Sequence, residues 1–127
     1  MPISGLDKAI HALEQQIYET AYRRAQGRAA RMMRTAKGQW PVGRPSGRPH
    51  SRSLFRLEDR SNGRDVVKFV IQNDAKDARG VPYSFYIRSR KVPGAGRKNA
   101  WVVLIRRPTL KLIKQLATDT ARNPLGR

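Results

Sequence analysis

Arginine residues recur at every fourth position in the middle of this chain, and they are the strongest candidates for a functional role. The series follows Trp40 and consists of Arg44, Arg48, Arg52, Arg56, Arg60 and Arg64. A guanidinium group stays protonated and donates paired hydrogen bonds to phosphates and carboxylates. Pro41, Pro45 and Pro49 exclude a helix from the first half of this stretch. The pattern therefore predicts a long basic loop that binds an anionic partner.

The charge of the whole chain supports the same interpretation. Lys and Arg number 27 against 9 Asp and Glu, which gives a net charge of +18 over 127 residues. Between Glu19 and Glu58 there are ten basic residues and no acidic one. Such a block indicates a surface that faces nucleic acid, an anionic membrane or an acidic protein. A solvated helix face followed by a loose loop is the simpler alternative.

Residues suited to metal binding or nucleophilic chemistry are sparse. The chain has no cysteine, and its two histidines are His11 and His50. His50 lies among arginines, whose charge opposes a bound cation. The segment Gly94–Lys98 has two glycines and two basic residues, but it lacks the spacing and the Ser or Thr of a phosphate-binding loop. We therefore expect no metal, no cofactor and no enzymatic activity.

Two arrangements that might suggest a catalytic site have simpler explanations. Glu58 and Asp59 are adjacent in a strand pattern, so their side chains point to opposite faces. They are expected to form salt bridges with neighbouring arginines rather than a carboxylate pair. His50 with Arg52 and Tyr83 could be assembled into a nuclease site, although nothing in the sequence fixes their geometry. An RNA-cleaving toxin therefore remains an alternative.

One long helix is predicted over residues 4–37. An apolar stripe recurs along it at helical spacing through Leu6, Ile10, Leu13, Ile17 and Ala21. At 1.5 Å per residue the helix spans roughly 50 Å, which is more than a small domain requires. The stripe continues into smaller and sulfur-containing side chains. We therefore expect the second half to contact a neighbouring subunit through Ala29, Met32 and Met33.

Strand patterns follow the basic loop, which is assigned to residues 38–52. Residues 53–73 are predicted to form a β-hairpin with a tight turn at Ser61-Asn62-Gly63. Further strands are expected within 81–105, including a buried strand at Trp101–Ile105, with a second basic loop over 89–99. The predicted core consists of Val67, Phe69, Ile71, Trp101, Val103, Ile105 and Leu116.

A helix over 108–122 completes the chain, because Pro108 suits the first turn of a helix. The predicted fold is a single α+β domain over residues 1–127, in which the N-terminal and C-terminal helices pack on a small, mainly antiparallel sheet. No apolar run approaches the roughly 18 residues of a membrane span, so a membrane partner is not expected. Trp40 is expected to anchor the basic loop to the domain.

The order of these pieces resembles a known family. The long helix is followed by Trp40-Pro41-Val42, then Ser46-Gly47-Arg48 and Ser53-Leu54. A strand over 66–72 comes next, then the aromatic run 83–87, and Arg107-Pro108 opens the last helix. This order is similar to that of the head–tail joining proteins of long-tailed phages, also called tail completion or neck proteins, including those like minor tail protein Z. Two departures are Pro45 before Ser46-Gly47 and Arg88-Ser89, which stand where the family has acidic residues.

The resemblance implies a structural protein of the virion neck, present in the host cytoplasm during assembly. It implies a homo-oligomeric ring of six subunits that joins the connector of the head to the tail tube or tail terminator, with DNA passing through its lumen. The residues expected to contact these partners or the DNA channel are Arg28, Arg31, Arg34, Arg44, Arg48, Arg52, Arg56, Arg90, Lys91, Arg97 and Lys98. A small basic nucleic-acid-binding protein is the principal alternative.

Overall fold

The computed structural model describes residues 5–41, 51–82, 84 and 99–127. Its regular elements are α1 (Gly5–Gln39), β1 (Phe55–Asp59), β2 (Phe69–Asn73) and α2 (Arg107–Arg122). A long N-terminal helix, a C-terminal helix and a two-stranded antiparallel sheet confirm the predicted α+β class. The central part of the basic loop, the aromatic run and the loop at 89–99 fall on residues 42–50, 83 and 85–98, outside the described residues.

The two halves of α1 have opposite environments. In the second half, Ala25 and Ala29 are buried, and these small side chains allow the rest of the domain to approach closely. In the first half, Leu6, Ile10 and Leu13 are 69%, 46% and 45% exposed. The second half, which was expected to contact a neighbouring subunit, packs against its own chain at Ala25 and Ala29. The first half is the part that the described chain leaves uncovered.

The predicted hairpin is present, but its strands are shorter than the sequence pattern indicated. A 3₁₀ turn, Ser51–Leu54, precedes β1, which pairs with β2 in the register Phe55↔Asn73 and Asp59↔Phe69. Residues 60–68 form a nine-residue connection rather than a two-residue turn. The Asn62 amide oxygen accepts hydrogen bonds from the backbone N–H groups of residues 64, 65 and 66, at 2.9–3.0 Å. This side chain organises the turn, and Gly63 supplies the positive φ of 75° beside it.

The prediction of a buried strand at Trp101–Ile105 is wrong, because this run is helical. The Asn99 carboxamide oxygen accepts hydrogen bonds from the N–H groups of Trp101 and Val102, as a residue at a helix start does. A π-helical turn, Val102–Arg106, then leads directly into α2. Pro108 lacks a backbone N–H and would crowd the carbonyl one turn earlier in a regular α-helix. The wider π turn relieves that conflict.

The buried core is centred on aromatic rings rather than on the predicted strand residues. Trp40 and Phe55 are 3% and 6% exposed, and their ring centroids lie 4.8 Å apart in an edge-to-face arrangement. The Trp101 ring packs against both of these rings, although the Trp101 side chain is itself partly exposed. Within the predicted core, only Ile105 is buried, while the other six members are partly exposed. Ala36, Ala100 and Leu104 complete the buried cluster.

The two phenylalanines of the hairpin provide a direct test of this core. Phe55→Ala should lower the free energy of unfolding by about 3–5 kcal/mol, because it removes a buried aromatic side chain. Phe69→Ala should cost much less, since Phe69 is partly exposed beside Tyr22. Urea denaturation of both variants measures the difference. An equal loss of stability in the two variants would contradict the assignment of the core.

Candidate interaction surface

The two ends of the basic segment 41–50 are held side by side. Trp40, at the end of α1, donates a hydrogen bond from Nε1 to the Ser51 hydroxyl oxygen at 2.9 Å. Both residues are buried, at 3% and 5% exposure. The expected role of Trp40 as an anchor is therefore confirmed. The residues on either side of the segment that carries Arg44 and Arg48 are therefore held together.

A buried polar cluster extends this anchor to β2 and to Ser84. The Asn73 amide nitrogen donates to the Ser51 carbonyl at 2.7 Å. The Asn73 amide oxygen accepts from the Ser84 hydroxyl at 2.5 Å and from the Ala75 N–H at 3.0 Å. These hydrogen bonds fix the orientation of the Asn73 side chain, because burying an amide group without a hydrogen-bond partner would cost free energy of folding.

Two members of the arginine series are neutralised within the hairpin. Arg56 contacts Asp74 at 2.8 Å and Glu58 at 3.5 Å, and Arg60 contacts Glu58 at 3.0 Å. The hydrogen bond from Arg60 lowers the pKa of Glu58, and the nearby charges of Arg60 and Arg56 add to the effect. These pairs confirm the predicted salt bridges for Glu58. In the part of the chain that the structure describes, Asp59 accepts hydrogen bonds from Tyr22 and Ser61 instead of pairing with an arginine. Arg56 is thus less available to a partner than the sequence suggested.

The arginines nearest the anchor have a different environment. Arg31, Arg34 and Arg52 are exposed, and no salt bridge joins them to a carboxylate among the described residues. Arg34 lies six residues before Trp40, less than two helical turns away. Arg52 directly follows Ser51. Arg34 and Arg52 are thus close in sequence to the two anchor residues, while Arg31 lines the opening between α1 and α2.

Arg28 has a structural role instead. Its guanidinium group contacts the Asp119 carboxylate at 2.5 Å, and Arg24 donates to the backbone carbonyl of Asp119 at 3.3 Å. These contacts attach α2 to the middle of α1. Arg28 was predicted to contact a partner or DNA. Its guanidinium group instead forms this salt bridge within the chain. Arg44, Arg48, Arg90, Lys91, Arg97 and Lys98 lie outside the described residues.

The residues predicted to contact a neighbouring subunit are largely covered by their own chain. Ala29 is buried at 7% exposure, and Met33 packs against the core. Met32 accepts a hydrogen bond at its sulfur from the Thr109 hydroxyl at 3.8 Å. Met32 thus contacts α2, and Met33 packs on the aromatic cluster. Contact of these residues with a neighbouring subunit stays a prediction.

Tyr18 and Tyr22 form a feature that the sequence analysis missed. The Tyr22 hydroxyl donates to the Asp59 carboxylate at 2.6 Å. The Tyr18 hydroxyl accepts from the Gly63 N–H at 2.9 Å and donates to the Val66 carbonyl at 3.3 Å. The two tyrosines are four residues apart on α1, so they share one face. That spacing was the available signal, but their partners lie about 40 residues away in sequence.

The contact between Tyr22 and Asp59 changes the acidity of both groups. The hydrogen bond from Tyr22 lowers the pKa of Asp59, and the Ser61 N–H and hydroxyl act in the same direction. The hydrogen bond to Asp59 raises the pKa of Tyr22. A carboxylate whose pKa is lowered on folding stabilises the fold at pH values above its ordinary, unfolded-state pKa. This contribution is lost as the pH falls through the folded-state pKa.

The described residues contain no group of three or more His, Asp or Glu side chains that could hold a metal ion. None of the helices among them has the length and apolar character needed to cross a membrane. Comparison of the chain with protein-family models, with curated proteins and with solved structures gives no match to any of them. The family resemblance therefore stays a hypothesis, and the geometry of the exposed arginines is the main guide to function.

A double-mutant cycle tests the anchor. Trp40→Phe and Ser51→Ala each remove one partner of the same hydrogen bond, so the double variant should lose less stability than the sum of the two. The coupling should be about 0.5–1.5 kcal/mol, the usual net contribution of such a bond. Urea denaturation of the four proteins measures it. If the stability losses of the two single variants add up to that of the double variant, the hydrogen bond does not contribute to stability.

A second test concerns the tyrosine contact. In Tyr22→Phe the pKa of Asp59 should rise toward its ordinary value of 3.8, because the largest cause of its depression is removed. The Ser61 hydrogen bonds should keep it somewhat below that value. The variant should also lose less stability than the wild type as the pH falls below 3.8. NMR titration of the Asp59 carboxyl carbon measures the shift.

Tyr18→Phe is the matched control, because Tyr18 contacts the connection between the strands without a hydrogen bond to Asp59. The pKa of Asp59 should change little in that variant. An unchanged Asp59 pKa in Tyr22→Phe would contradict the contact.

Proposed function

We propose that this protein is a non-enzymatic structural component of a phage neck. In this role it forms a ring around the DNA channel and joins the connector of the head to the tail. The observation that carries the proposal is the presentation of the arginines. Arg31, Arg34 and Arg52 are exposed and have no salt bridge to a carboxylate among the described residues, and Arg52 directly follows Ser51 of the Trp40–Ser51 anchor. Arg44 and Arg48 belong to the segment that starts at the same anchor.

This arrangement suits a contact with a large anionic surface. Arginines that meet phosphates bind DNA without reading its sequence, and arginines that meet carboxylates form paired hydrogen bonds with another protein. A ring protein of the neck uses both types of contact, the first toward its lumen and the second toward the next ring. The order of sequence motifs supports the same proposal.

A small nucleic-acid-binding protein is the second candidate, since the same arginines would serve it. The exposed apolar side chains of α1 favour the neck protein. Leu6, Ile10 and Leu13 lie on one face, and contiguous exposed apolar surface usually marks contact with another protein. A monomeric protein that only coats nucleic acid has no need for this face.

Replacement of Arg44, Arg48 and Arg52 together by Ala tests the proposal. The variant should fold, because the one described member of the three, Arg52, is exposed. In an in vitro assay that joins separate heads and tails, it should leave full heads and finished tails apart. Electron microscopy counts the joined particles.

The matched control replaces Arg64, Lys76 and Arg79 by Ala, which removes the same charge from exposed positions elsewhere. This control should join heads to tails normally. A salt titration of duplex DNA binding on both variants then separates the two candidates. Normal joining by the Arg44/Arg48/Arg52 variant, with a salt slope shallower by roughly 0.9 units per lost phosphate contact, would favour the nucleic-acid-binding protein instead.

A further inference from the structure

Two apolar surfaces remain uncovered in the part of the chain that the structure describes. The first, here called the α1 stripe, consists of Leu6, Ile10 and Leu13, and every residue from 5 to 16 is exposed. The second, here called the α2 groove, is an opening of about 630 Å³ between β2 and α2. Its main apolar lining residues are Val67, Phe69, Ile71, Leu110, Ile113 and Leu116.

The α2 groove is unusual for a helix that packs on a domain. Leu110 and Ile113 are 55% and 56% exposed, and α2 has no fully buried residue. An amphipathic helix normally buries its apolar face. Here that face is separated from β2, and a volume in the range of ligand and peptide pockets lies between them. The groove is therefore shaped to receive further apolar side chains.

The two surfaces match in length. Leu6 and Leu13 are seven residues apart, so the α1 stripe extends about 10 Å along its helix. Leu110 and Leu116 are six residues apart, so the α2 groove extends about 9 Å along its helix. One helix lying along another can therefore bring all of these side chains into contact.

The two surfaces also carry opposite charge, although the chain as a whole is strongly basic. Residues 5–22 contain three acidic residues and a single Lys. Asp7 and Glu14 lie on the helix at one edge of the α1 stripe, while Lys68 and Arg106 line the α2 groove. Lys114 is exposed one turn after Leu110. Two copies of a +18 chain repel each other, and this pairing joins the acidic section of one copy to a basic section of another.

The α1 stripe cannot enter the groove of its own chain. The groove lies against the second half of α1, where Ala25 and Ala29 are among its lining residues. The stripe lies on the first half of the same continuous helix, Gly5–Gln39. A straight helix cannot fold its beginning back onto its middle, so a second copy must supply the stripe.

We propose that the first half of α1 in one copy lies in the α2 groove of the next copy. Different surfaces of the two copies meet in this contact, so it is heterologous, and repetition of the contact closes a ring if the rotation between copies allows it. The interface follows from the two surfaces alone. Its use in a closed ring around DNA rests on the proposed function.

Complementary variants test this interface. The stripe variant carries Ile10→Glu and Leu13→Glu, and the groove variant carries Leu110→Glu and Ile113→Glu. All four side chains are exposed, so both variants should keep the wild-type melting temperature within a few degrees. Ala12→Glu with Gln15→Glu is the matched control, because it adds the same charge to exposed positions of α1 on faces away from the stripe.

Sedimentation velocity in a salt series from about 0.1 M to about 1 M provides the measurement, since the Debye length falls from about 10 Å to about 3 Å over this range. The wild type and the control should associate as the repulsion is screened. Each variant alone should associate about 100-fold more weakly, because it places charges in an apolar contact. An equimolar mixture of the two variants should form a dimer and nothing larger, since only one intact stripe and one intact groove can meet.

Several results would overturn the proposal. A wild type that stays monomeric at every salt concentration would exclude the contact. Loss of association in the stripe variant with normal association in the groove variant would show that the stripe pairs with itself or with another surface. A mixture of the two variants that stays monomeric would exclude the heterologous arrangement.

Site-specific cross-linking gives an independent measurement if a Glu variant fails to fold. The chain contains no cysteine, so single replacements define the reacting positions. Leu13→Cys mixed with Ile113→Cys should yield a mixed dimer with a short bis-maleimide, while Gln15→Cys mixed with Ile113→Cys should not, because Gln15 lies on the opposite face of α1. Equal yields from the two mixtures would overturn the proposal.

The joining assay separates this interface from the proposed function. Loss of joining in the Arg44/Arg48/Arg52 variant, together with normal joining in the stripe variant, overturns the interface and leaves the neck function standing. Normal joining by the arginine variant, with a dimer from the mixed stripe and groove variants, overturns the neck function and supports the interface.

Discussion

The packing of the Trp40 ring, together with its hydrogen bond to Ser51, is the interaction that brings the elements of the fold together. Trp40 directly follows α1, and Ser51 begins the turn that leads into β1. The rings of Phe55 and Trp101 pack on the indole, and Asn73 of β2 binds the Ser51 carbonyl. One small region therefore joins both helical parts to the hairpin. A chain with few large buried side chains gains a defined geometry by combining aromatic packing with satisfied polar groups.

The placement of a few carboxylates helps a chain of this charge to remain folded. At least four of the nine acidic residues contact basic residues or a tyrosine at or between the structural elements. Asp119 attaches α2 to α1, Asp59 receives Tyr22 of α1, and Glu58 and Asp74 neutralise arginines within the hairpin. A basic residue beside one of these acids has a structural task. Exposed basic residues without a salt bridge among the described residues, such as Arg31, Arg34 and Arg52, are available to an external anionic surface.

The parts of the fold that follow from local pattern were predictable from the sequence. The long helix, the antiparallel hairpin, the salt bridges of Glu58 and the anchoring by Trp40 depend on periodicity, turn residues and adjacent charges. The helical state of Trp101–Ile105 was not predicted, because a short apolar run is compatible with either a strand or a helix. The contact between Tyr22 and Asp59 depends on tertiary packing, which a single sequence does not reveal. The exposure of the α1 stripe was also missed, since periodicity shows that a helix has an apolar face but not what covers that face.

The π turn before Pro108 has a consequence for the way the core is specified. Such a turn uses more residues for one revolution than an α-helix does, so it rotates the side chains before it relative to those after it. Leu104 is thereby directed at the aromatic cluster, while Leu110 and Ile113 face the groove and Trp101 contributes to both. The π turn beside Pro108 thus sets the rotational phase between these two faces, so a change in helix type at this one point would alter both the interior and the groove.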